Sequence, residues 1–152
     1  MDTVATENIL DMPGHLIRRV KQLSTALFIE ECGEFDMTSV QFAALQSIAL
    51  HRDVDATRLS ALIAFDRSTI GDVLDRMEQK GWITRKAAPG DRRIKLIELS
   101  SEGAALLRRI GPAVHRVQER ILAPLDRADR STFIRILQQL AGSKNESPNG
   151  PI

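Results

Sequence analysis

"RKAAPGDRRIKLIEL", running from Arg85 to Leu99, is the stretch on which the reading of the whole chain turns. Pro89-Gly90 marks a tight turn. On either side, "WITR" (Trp82–Arg85) and "RIKLIEL" (Arg93–Leu99) are rich in apolar and β-branched residues, which predicts the two strands of a hairpin. Asp91, Arg92 and Arg93 follow the turn directly. Charged residues keep many loops in water, so the loop gains meaning only from what flanks it.

Upstream, Asp55 can cap a short helix whose Ala56, Leu59, Leu62 and Ile63 face inward. After a break at Ala64-Phe65, Asp66 can cap a second helix. There Ile70, Val73, Leu74 and Met77 fall at i, i+3, i+4 and i+7, and Gly81 is placed to stop it. Two helices joined by so short a break form a helix-turn-helix pattern. A hairpin directly after it makes a winged helix, and Pro89–Arg93 becomes the wing tip.

The flanks read as helices. Pro13 can open one over residues 14–31, with Leu16, Val20, Leu23 and Leu27 as its stripe. Thr38 and Gln41 have capping-box spacing, and the helix they open is apolar around much of its girth: Val40, Phe42, Ala44, Leu45, Ile48 and Ala49. Ser100 or Ser101 caps a long helix, with Glu102 near its positive end. Along it Leu107, Ile110, Val114, Val117 and Ile121 step by 3, 4, 3 and 4, the spacing of a seam between two chains. Gly111-Pro112 should bend this helix and Pro124 should end it. A last helix over Asp126–Ala141 carries Phe133, Ile134, Leu137 and Leu140.

The expected fold is therefore mostly α with a small β component. Residues 1–34 and 100–141 form a helical dimerisation region around a DNA-binding lobe at 35–99. The "SKNESPNGPI" end reads as part of a disordered tail at 142–152.

Composition fits one globular unit: 152 residues, 43% hydrophobic and 27% charged. No apolar run reaches the ~20 residues that span a membrane, and the N-terminus has no signal-peptide order, so a cytoplasmic protein is expected. Cys32 stands alone and the three histidines are dispersed, so neither a disulfide nor a metal site is expected. The formal net charge of +1 hides an asymmetry. Residues 1–55 hold nine acids against four bases, whereas residues 76–95 hold seven bases against two acids. A basic segment in a neutral chain points to a local polyanion.

On the helix after the turn, Arg67, Ser68, Thr69, Gly71, Asp72 and Arg76 are left for the outer face. Short polar side chains plus arginine can reach base edges and phosphates in a major groove. Nothing in the chain assembles a nucleophile–base pair, a metal-ligand set or a phosphate loop, so no enzyme and no cofactor is expected.

"DRSTIGDVLDRMEQKGWITR" (Asp66–Arg85) and "PGDRRIKLIELSSEG" (Pro89–Gly103) together resemble the MarR family of transcriptional regulators. Its Asp-x-Arg wing signature matches Asp91-Arg92-Arg93, and its Leu-Ser/Thr-x-x-Gly signature matches Leu99–Gly103. The resemblance implies a homodimer on a pseudopalindromic double-stranded operator. It implies that Ser68, Thr69 and Asp72 lie nearest the bases, that Arg93 enters a minor groove, and that Asp91 braces the wing by pairing with a nearby arginine. Arg76 and Arg85 would hold the wing or phosphates, with Arg67 and Arg92 completing the DNA-facing set. The dimer would use the Leu107–Ile121 stripe with Phe133 and Leu137.

"GHLIRR" (Gly14–Arg19) resembles members that repress aromatic-acid catabolism, of nicotinate or hydroxycinnamate type. His15, Arg18 and Arg19 lie on one region of the first helix, with His51 as a further polar contact, and arginine suits a carboxylate. A small aromatic acid is the expected effector. Two alternatives stand beside it. Cys32 could sense oxidants, although Glu30, Glu31 and Glu34 around it disfavour a thiolate and the chain has no tyrosine. The protein could also bind DNA without any ligand.

Overall fold

Pro13 sits in the first turn of α1 (Pro13–Cys32), where its missing N–H costs nothing. The computed structural model describes residues 8–142; the expected tail lies almost wholly outside the described residues. Thr38 and Gln41 close a full capping box on α2 (Ser39–Leu50), with the Thr38 hydroxyl accepting from Gln41 N at 3.1 Å and Gln41 Oε1 accepting from Thr38 N at 3.0 Å. Asp55 caps α3 (Ala56–Leu62) and Asp66 caps α4 (Arg67–Gln79). Between them Ala64 takes a left-handed φ of 51°, which turns the chain within four residues.

The hairpin pairs β1 (Ile83–Ala88) with β2 (Asp91–Leu99). Pro89 precedes Gly90, whose φ of 84° suits the third position of a type II turn. Val54 adds a single bridge to Ile97 from the other side, a pairing the sequence did not announce. Ser100 then caps α5 (Ser101–Leu122), accepting from Gly103 N at 2.9 Å. Gly103 is required there: a Cβ would sit 2.0 Å from the Trp82 carbonyl oxygen. Pro112 lies inside α5, and Pro124 follows its end. Asp126 caps α6 (Arg127–Ala141).

The core joins both regions. Leu27, Phe28 and Cys32 of α1 pack with Ala44, Leu45 and Ile48 of α2, Leu59 of α3, and Ile70, Leu74 and Met77 of α4. Ile110, Ala113, Val114 and Val117 of α5 belong to the same cluster, with Leu107 and Ile121 packed at its edge. This corrects the expectation of an intermolecular seam at Ile110, Val114 and Val117, which are buried within one chain and leave no surface for a partner; Leu107 and Ile121 are only half-buried. Spacing of 3 and 4 reveals an apolar face but not whose atoms cover it, and here α1 covers it.

The apolar surface without cover lies elsewhere. Ile9, Leu10, Leu16, Ile17, Val20 and Leu23 at the N-terminal end, and Ile134, Ile136, Leu137 and Leu140 on α6, are all exposed. Phe133 is half-buried, and α6 has no buried residue. The Leu16–Leu27 stripe is therefore split: Leu27 enters the core and the rest does not. A cluster of ion pairs locks the other half of α1 to α5. Arg116 Nε donates to Glu31 at 2.8 Å, and Arg120 pairs with both Glu30 and Glu31. Hydrogen bonds from Arg116 and Arg120 hold the Glu31 carboxyl below its ordinary pKa.

Candidate nucleic-acid interface

The N-terminal turn of α4 is exposed through Arg67, Ser68 and Thr69, with Asp72 one turn on. Ile70, Leu74 and Met77 anchor the opposite face in the core, which fixes how the exposed face points. Asp66 organises the turn. Its carboxylate accepts from Ser68 N at 3.1 Å and from the Ser68 hydroxyl at 2.6 Å, and its carbonyl accepts from the Thr69 hydroxyl at 3.2 Å. The Ser68 bonds lower the Asp66 pKa. With their protons turned back on Asp66, Ser68 and Thr69 offer lone pairs outward, as acceptors for base amino groups. Arg67 Nε donates to the Thr57 hydroxyl of α3 at 3.1 Å, a contact the sequence gave no sign of.

The wing tip has an unusual register. Ala88 pairs with Asp91 but Ala87 pairs with Lys95, so Arg92, Arg93 and Ile94 fall outside the ladder. Such a bulge re-aims side chains at a strand end. Asp91 holds it in shape: its carboxylate accepts from Arg93 N at 3.0 Å and from Arg93 Nε and Nη2 at 3.2 Å each. The arginine that pairs with Asp91 is thus the wing arginine itself. These bonds hold the Asp91 carboxyl below its ordinary pKa. The Arg93 side chain is nevertheless 91% exposed. Arg92 and Lys95 are exposed alongside it.

Of the two arginines expected to hold the wing or phosphates, Arg85 takes the first role. Arg85 Nη2 donates to Asp75 at 2.6 Å and its Nε to Glu78 at 3.1 Å, tying β1 to α4. Hydrogen bonds to Glu78 and Asp75 raise its pKa further. Arg85 therefore holds the wing and is not a free phosphate contact. Arg76 lines a cleft of ≈690 Å³ between the second half of α1, the start of α2 and the end of α4. Its side chain is exposed at the mouth of that cleft.

The expected ligand residues are only partly gathered. A groove of ≈430 Å³ runs along α1, lined by Arg18, Lys21, Gln22, Thr25, Ala26 and Ile29. Arg18 lines it; His15, Arg19 and His51 do not. His15 Nε2 is buried with no hydrogen-bond partner among the described residues. Arg19 is exposed, and the Nδ1 of His51 lies 2.9 Å from the Ser47 carbonyl at the end of its own helix. Lys21, a cation the sequence reading passed over, joins Arg18 because the two are three residues apart on one helix face.

Cys32 is fully buried, and burial first, then Glu31, push its thiol above the ordinary pKa. That is the reverse of what a peroxide-sensing cysteine needs. Among the described residues no group of three or more His, Cys, Asp or Glu could hold a metal. No described helix is long and apolar enough to cross a membrane.

A polar, exposed recognition helix beside an arginine-bearing wing defines a winged-helix DNA-binding protein. The match of residues 37–95 to the MarR family model agrees with that class. A solved structure of a probable transcriptional regulator from Pseudomonas aeruginosa is 32% identical, covers 88% of this chain and 99% of its own, and superposes with a TM-score of 0.83. The chain belongs to the MarR family, and it is a transcriptional regulator rather than an enzyme. The HTH-type transcriptional repressor NicR of Pseudomonas putida is 28% identical over 90% of this chain and 86% of its own length. The PcaV regulator of Streptomyces coelicolor, solved in complex with its natural ligand, is 29% identical over 91% of this chain and 97% of its own, with a TM-score of 0.84.

Proposed function

We propose that the protein represses transcription as a homodimer on a pseudopalindromic operator, and that a small aromatic or heteroaromatic carboxylate releases it. The observation that carries the DNA half is the wing. Arg93 stands on a bulge outside the ladder, shaped by Asp91, beside a recognition helix with Ser68, Thr69 and Asp72 exposed. Arginine at such a tip suits a narrow minor groove, whose negative potential attracts it. Each recognition helix enters a major groove, and two such units read a two-fold site. The uncovered apolar residues of the N-terminal end and α6 supply the dimer surface, because patches of that kind on a soluble chain mark interaction sites.

The α1 groove supports the effector half. It offers Arg18 and Lys21 for a carboxylate and Ala26 and Ile29 for an apolar ring. The half-buried His15 and the exposed Arg19 lie on the same helix. PcaV, similar over nearly the full chain, binds a natural ligand, which favours a ligand-responsive reading over a ligand-independent one. Because Cys32 is buried with a raised pKa, the oxidant-sensing reading is the weaker.

Titrating nicotinate, hydroxynicotinate and hydroxycinnamates into the protein–operator complex tests this. At least one acid should weaken DNA binding by about 5–150-fold, the range that a coupling of ~1–3 kcal/mol produces. Arg18→Ala should keep its operator affinity and lose most of that response. An oxidant that releases the operator where no acid does would replace the effector reading with the Cys32 one.

A further inference from the structure

We propose that Thr57, on α3, is a positioning residue for operator recognition: it orients Arg67 so that the arginine's two terminal nitrogens face a guanine edge. The proposal rests on α4 being the helix that enters the major groove. Arg67 is the first residue of α4, and its side chain is long and exposed. Left to itself, such a side chain samples many rotamers, and ordering it on DNA costs free energy. The structure holds it already, through the 3.1 Å bond from Nε to the Thr57 hydroxyl.

Which nitrogen is held matters. Guanidinium carries five N–H donors in a rigid fork. Donation from Nε to Thr57 removes the side-on edge from use and leaves Nη1 and Nη2 at the tip. That pair matches the O6 and N7 acceptors of guanine, the commonest specific arginine contact in a major groove. Among the described residues no carboxylate pairs with Arg67, so nothing competes for that tip. Thr57 itself is held by α3, whose first turn Asp55 caps by accepting from Arg58 N at 2.8 Å. The pair therefore links the two helices of the helix-turn-helix across its exposed side.

The test uses the full-length protein and an operator obtained by selection from random DNA. Wild type, Thr57→Val, Thr57→Ser, Arg67→Ala and the double variant Thr57→Val/Arg67→Ala are compared on that operator, on singly substituted operators and on unrelated DNA. Thr57→Val removes the acceptor with little change of shape and should weaken operator binding by about 2–12-fold, the equivalent of one hydrogen bond's net contribution. It should relax preference at one G·C pair per half-site and leave unrelated DNA unaffected. Thr57→Ser should restore wild-type binding, and Thr57→Val should add nothing in the Arg67→Ala background. Additive losses would overturn the proposal, since Thr57 would then act independently of Arg67. So would a uniform loss across all sequences, which would place Arg67 on phosphate. If Arg67→Ala and Thr69→Ala both bind like wild type, α4 is not the reading helix and the underlying assignment fails as well.

Discussion

Arg93→Ala is expected to bind the operator about 5–150-fold more weakly than wild type, the consequence of losing ~1–3 kcal/mol, on the scale of one base-pair contact. The reasoning begins with the ladder. Because β2 advances four residues where β1 advances one, Arg93 leaves the plane of the hairpin. Asp91 then fixes both the backbone and the guanidinium of Arg93, so little freedom remains to be lost on binding. The side chain is almost wholly in water and supports no packing, so its removal should leave the melting temperature unchanged. Fluorescence anisotropy at about 0.15 M salt, paired with thermal unfolding, measures both quantities. Salt must be fixed because phosphate contacts make affinity salt-dependent. Unchanged affinity with unchanged stability would remove Arg93 from the interface.

A larger effect is expected from the apolar surface. Ile17→Arg on α1 or Leu137→Arg on α6 should yield a folded monomer whose operator affinity is lower by a factor on the order of 10²–10⁴, the gain that linking two binding modules provides. Both residues are exposed in the single chain, so an arginine costs the monomer little. In a closed interface the same charge would be buried without a partner, which is costly. Val117→Arg serves as the contrast. Val117 is fully buried, so that variant should fail by unfolding instead of dissociating. Sedimentation velocity separates the outcomes. Dimers of Ile17→Arg and of Leu137→Arg that bind DNA normally would place the interface elsewhere.

The contrast between Val117 and Leu137 shows where sequence reading reached its limit. Helices, caps and hairpin were legible because each rests on local chemistry. Thr38, Asp55, Asp66 and Ser100 all cap the helices that follow them. The placement of an apolar face against one partner or another is not local. α5 looked like a seam between chains because its periodicity is strong, and the structure fills it with α1. The site divided in the same way. The resemblance implied that Asp91 pairs with a nearby arginine, and that partner, Arg93, lies only two residues away. Arg85 lies ten residues from Asp75, and Arg67 ten from Thr57. No short spacing encodes those contacts; they follow from how α3, α4 and β1 pack.

The most direct measurement of the central claim is a hydroxyl-radical footprint of the wild-type protein on its own promoter region. Two protected half-sites should appear about 10 bp apart centre to centre, the spacing of recognition helices related by a two-fold axis. Minor-groove protection flanking each half-site should come from the wings and should vanish with Arg93→Ala. Protection of a single half-site, or flanking protection that persists without Arg93, would contradict a dimer that reads DNA with α4 and the wing.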